Sequence, residues 1–115
     1  MSPIAEVKAA KKRCIAMGAF HAWAPEFDSH PLAACMDNYT TCIDVERAER
    51  APNWEAILHW TLTMARKVNG FCDGHKVVGD VAAQYWLERF LWRCDAICQW
   101  DYLHEVSGGR QAVRS

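Results

Sequence analysis

Long apolar runs are missing from this 115-residue sequence, so nothing in it approaches the roughly 20 residues that a bilayer-spanning helix needs. Net charge is missing too. Thirteen Lys and Arg against fourteen Asp and Glu leave -1, too little to hold DNA, RNA or an anionic membrane by a global field. Neither an internal repeat nor a low-complexity segment occurs, and no glycine-rich phosphate loop of the Walker or Rossmann type. Nothing in the order of the cysteines and histidines sets up a Cys-His nucleophilic pair, so no enzyme is expected. A secretory leader is not expected either, because Glu6, Lys8, Lys11, Lys12 and Arg13 come before any apolar run. The expected compartment is cytoplasmic, where the six cysteines are reduced thiols rather than a disulfide framework.

What is present is apolar and aromatic. Hydrophobic residues make up 51% of the chain, enough for one core in a single domain of this length, and six are tryptophans. Tryptophan resists complete burial and is enriched at binding hot spots. The expected fold is all-α, a compact four-helix up-and-down bundle with one long C-terminal helix, over residues 1–106. Residues 107–115, with two glycines and no periodic apolar positions, are expected to form a disordered tail.

Four proline and six glycine residues supply the punctuation. Ser2 before Pro3 is a cap followed by a first-turn proline; Ile4, Val7, Cys14 and Ile15 then share a face up to Gly18. Phe20, Trp23, Pro25 and Phe27 mark an aromatic loop that folds back on the bundle. Asp28 and Ser29 before Pro31 open a second helix, with Leu32, Cys35, Met36, Tyr39, Cys42 and Ile43 at three- and four-residue steps. Pro52 ends it and opens a third at its first turn, burying Trp54, Ile57, Leu58, Thr61, Met64, Ala65 and Val68. Asn69, Gly70, Asp73 and Gly74 form the next connection. The fourth helix starts between His75 and Asp80 and runs to about Val106. One of its faces carries Trp86, Leu87, Phe90, Leu91, Cys94, Ile97 and Cys98; a second carries Val81, Tyr85, Trp92, Ala96, Trp100 and Leu103. Gln84, Glu88, Asp95 and Gln99 leave only a narrow wet stripe.

Candidate chemistry is thin. In an up-and-down bundle Cys14, His21, His30, Cys35, Cys72 and His75 gather at one pole. Cys72-Asp-Gly-His75 has the close spacing of zinc ligands, with Cys35 and Cys14 or His30 to complete a set. A bare CxxH is common, so no cofactor is assigned, and a zinc or thiol redox module centred on Cys72, His75 and Cys35 is the alternative reading. Cys94 and Cys98, one turn apart, read as small core residues. Asp101 with His104 lacks the inward carboxylates of a di-iron bundle, and Glu55 with His59 reads as a surface pair. Lys8, Lys11, Lys12 and Arg13 form a basic patch without base-stacking aromatics, which reads as a solvated face rather than a nucleic-acid site.

The second face of the long helix is the strongest feature. Tyr85, Arg89, Trp92, Arg93 and Trp100 combine the three residue types most enriched at hot spots. They point to a small non-enzymatic protein that docks on and inhibits or regulates a larger protein partner, in the size class of phage and mobile-element inhibitors of host defence. A homodimer seam would use the same face.

Overall fold

The computed structural model describes the backbone of residues 2–114 and the side chains of residues 2–105; where a tail is expected at 107–115, the backbone to Arg114 is helical and the side chains lie outside those described. The chain forms α1 (Pro3–Met17), a short 3-10 turn (Pro25–Ser29), α2 (Ala33–Arg47), α3 (Trp54–Gly74) and α4 (Val81–Arg114), with no strand among the described residues. This is an all-α helical bundle with a long C-terminal helix. No described helix is long and apolar enough to cross a membrane.

Helix α1 begins as its sequence dictates. The Ser2 hydroxyl accepts from the Ala5 amide at 3.2 Å, and Gly18 closes the helix at φ 87°. Helix α2 starts later than its capping residues suggested. Asp28 is taken by the Trp23 indole N–H (3.0 Å), and the Ser29 hydroxyl bonds back to the Glu26 carbonyl, so both belong to the 3-10 turn. Pro52 also lies outside a helix; Asn53 is the cap of α3, its side chain accepting from the Ala56 amide at 3.1 Å. Asn69 and Gly70 do not break α3. It runs on to Gly74, because a single glycine costs only about 1 kcal/mol in a helix whose other face is packed. Asp80 then starts α4 by accepting from the Ala83 amide.

Helix directions follow from the cross-links. Glu6 pairs with Arg66 and Arg13 with Asp73, so α1 and α3 run parallel; Lys8 pairs with Asp101 and Lys11 with Asp95, so α1 and α4 run antiparallel. Helices α3 and α4 pack against each other and each against both α1 and α2, while α1 and α2 do not touch. The segment from Gly18 to Leu32 therefore crosses the α3–α4 pair from one side to the other. Phe20 and Phe27 pack edge to face along it (5.9 Å), and the Trp86 indole donates to the Phe27 carbonyl at 2.8 Å.

The core sits between these layers, with Val7, Met36, Ile43, Ile57, Met64, Val68, Leu87, Phe90 and Ile97 fully buried. Two positions depart from the periodic reading. Ile15 is 60% exposed, since α4 covers only part of α1, and Glu88 lies inside because the crossing segment folds over it.

Candidate functional site

The long helix does have more apolar circumference than the bundle covers, but less than its pattern implied. Tyr85 is buried, with Phe27 at 5.5 Å and Trp86 at 5.0 Å between ring centres. Arg93 is buried as well and not free for a partner. Its Nε donates to Asp44 Oδ1 at 3.2 Å, its Nη2 meets Asp44 Oδ2, and its Nη1 donates to the Arg89 carbonyl at 3.1 Å. It is Asp44 of α2 that reaches across to it. Trp100 is half-buried and stacked on Trp54, 5.7 Å apart at 10°.

Trp92 is the residue left open, at 57% exposure. On one side of it a groove of about 480 Å³ is lined by Asp44, Arg47, Ala48 and Arg93. On the other is a recess of about 60 Å³ walled by Phe20, His21, Tyr85, Glu88 and Arg89. Tyr85 and Arg89 also line a third groove of about 550 Å³, which continues to Trp23, Asp28 and Asp37. The three depressions thus share wall residues along one side of α4, with Trp92 and Trp23 exposed beside them.

The wall of the small recess is polar and only partly satisfied. The Glu88 side chain is 9% exposed; His21 Nδ1 meets its Oε1, but its Oε2 has no partner. The neighbouring Arg89 holds its guanidinium carbon 6.0 Å from the centre of the Tyr85 ring, within reach of the ring's negative face, and its Nε is also buried without a partner. Sequence reasoning singled out Arg89 and Trp92 but put Glu88 on the wet stripe. Only the path of the aromatic loop moves it inside.

The pole does assemble from the expected ends, with Arg13 paired to Asp73 and His30 near Asp80, but its described cysteines and histidines do not gather as one ligand group. His75 turns back on its own helix, stacked on Phe71 at 4.3 Å with Nδ1 3.2 Å from the Phe71 carbonyl. Cys72 sits on α3 rather than in a turn, beside Cys14 and Arg13, while Cys35 lies near Lys67. No three Cys, His, Asp or Glu side chains among the described residues group as metal ligands, so Cys72, His75 and Cys35 are not brought together. Burial pushes the thiols of Cys35, Cys72 and Cys98 up from 9.0 and that of Cys14 up to about 12, the reverse of what a reactive thiol needs.

The basic patch of α1 is largely engaged. Lys8, Lys11 and Arg13 pair with Asp101, Asp95 and Asp73 at 3.2, 2.8 and 2.7 Å. No protein-family model, curated protein or solved structure matches the chain.

Proposed function

We propose that this chain is a small non-enzymatic protein-binding protein that docks on a larger protein partner and inhibits or regulates it, through the surface around Trp92. The observation that carries this reading is the exposed Trp92 with depressions on both sides, in a helix whose other large side chains are mostly covered. An indole held by a rigid helix offers large area at little entropic cost, which is the property shared by most hot-spot residues. Arg89 and the exposed Trp23 extend the same surface, whereas the buried Tyr85 and Arg93 support it from within.

The test is affinity capture from a native lysate with the intact chain and with Trp92→Ala, read by quantitative mass spectrometry. A specific partner retained by the intact chain and reduced about 10- to 30-fold by the variant supports the reading. A partner captured equally by both, or a variant whose melting transition collapses, overturns it. Sedimentation of the intact chain separates a foreign partner from a second copy, since self-association through this face would also vanish in the variant.

A further inference from the structure

The near-zero net charge hides a segregation along the chain. From Cys14 to Glu46 there is no lysine or arginine, while Glu26, Asp28, Asp37, Asp44 and Glu46 fall within that stretch; the rest of the chain carries nine acidic against thirteen basic residues. The stretch comprises the end of α1, the crossing segment and nearly all of α2, and the 3-10 turn, α2 and α4 pack on one another. Folding therefore leaves one side of α4 flanked by acidic chain. Two of the five carboxylates are used internally: Asp44 holds Arg93, and Glu46 accepts from the Asn53 amide at 2.8 Å. Asp28 Oδ1 accepts from the Trp23 indole N–H at 3.0 Å. Neither Asp28 nor Asp37 is in an ion pair among the described residues.

Asp28 and Asp37 wall the same groove of about 550 Å³, with Trp23, Tyr85 and Trp86 as its aromatic sides. Arg89 is the one cation among its lining residues, and that guanidinium already leans on the Tyr85 ring. Tyr85 and Trp86 are buried, whereas Trp23 is 53% exposed, its ring tied beside the groove by the bond to Asp28. An exposed indole with carboxylates beside it favours a cation over a neutral or anionic group. It favours guanidinium over ammonium, because a planar, weakly hydrated guanidinium stacks on an indole while its N–H groups still donate. Resting on the docking reading, we infer that this groove receives an arginine side chain of the docked protein, its guanidinium against Trp23 and its charge answered by Asp28 and Asp37. The partner's contact surface is then basic where this chain's is acidic, and the same field repels nucleic acid and anionic lipid from this side.

The test uses the intact protein labelled with nitrogen-15, following the Trp23 indole N–H by NMR. The probes are the N-acetyl, N-methylamide derivatives of arginine, norleucine and glutamate. A saturable shift with the arginine probe, about tenfold tighter than with norleucine and weakened between 50 and 500 mM NaCl, is the expected result. In an Asp28→Asn, Asp37→Asn double variant the arginine probe is expected to bind no better than norleucine. Both positions are exposed and asparagine keeps an acceptor for the Trp23 N–H, so the circular dichroism spectrum is expected to stay unchanged. Asp37→Asn alone, where the carboxylate makes no described hydrogen bond, is expected to show a loss of about threefold and serves if the double variant unfolds. Norleucine or glutamate binding as tightly as arginine overturns the inference, as does no response to arginine or an unchanged arginine affinity in the variants. None of these outcomes alters capture of a partner through Trp92, so the docking reading stands or falls separately.

Discussion

Arg93 is nearly enclosed, while its partner Asp44 is half in water, and this asymmetry sets opposite consequences for removing either. Asp44→Ala leaves a buried guanidinium with only a backbone carbonyl to answer it, and is expected to cost about 2–3 kcal/mol in urea unfolding. Arg93→Met keeps most of the buried volume and frees a carboxylate that water already reaches, so about 1 kcal/mol or less is expected. The buried thiols carry a second prediction. Cys14 is pushed up to about 12 by burial, and Cys94 is pushed up for the same reason, so both stay protonated in the folded chain where an unfolded thiol, ordinarily at 9.0, has ionised. The unfolded state then holds fewer protons, and stability falls as pH rises from about 9 toward 12. A Cys14→Ala, Cys94→Ala double variant is expected to show a shallower fall in Tm between pH 8 and 10.5. At this scale the sequence was a fair guide to residue type and a poor one to accessibility. Trp92 and Arg93 are adjacent and looked equivalent, yet one turns to solvent and the other to Asp44, because their side chains leave the helix about 100° apart and only one direction meets α2.

Helix α3 holds a glycine that its fold does not need, and the end of α1 holds one that it does. Gly70 has open space where a methyl would go and ordinary helical backbone, so Gly70→Ala is expected to raise stability by about 0.5–1 kcal/mol. Gly18 sits at φ 87° and ψ 163°, and an added Cβ would come 3.1 Å from Gln84 Nε2, the group that donates to the Met17 carbonyl at 3.0 Å. Gly18→Ala is expected to cost about 1–3 kcal/mol, with thermal melts of the two variants moving in opposite directions. Helix existence, direction and facing were legible from the three- and four-residue apolar steps at Ile57, Thr61, Met64, Ala65 and Val68. Boundaries were less so. Gly70 and Pro52 looked alike as breaks, but tertiary packing overrides a glycine in mid-helix, and Pro52 stands one residue before the true cap. The burial of Glu88 was not legible at all, since it depends on where the fourteen residues from Gly18 to Pro31, ahead of the α2 cap Leu32, lie across α4.

Across the whole molecule, α1 is fastened differently from the rest. Val7, Ala10 and Cys14 are its buried contribution, and around them Glu6, Lys8, Lys11 and Arg13 reach carboxylates or a guanidinium on α3 and α4. Such exposed pairs contribute about 0–1 kcal/mol each and are weakened by salt. Reversing Lys8 and Lys11 to Glu is expected to speed amide hydrogen exchange in α1 while α3 and the packed part of α4 keep their protection. Because α1 shares no contact with α2, the covalent link between them is needed for tethering and for covering Glu88, not for holding two neighbours in register. A single protease nick at the exposed stretch His21–Trp23 would thus leave two pieces that still recognise one another, the shorter a detachable helical peptide and the longer a three-helix remainder with a ready-made receptor for it. Mixing the separately made halves should restore the native spectrum at a rate that depends on their concentration, turning a folding problem into a bimolecular one.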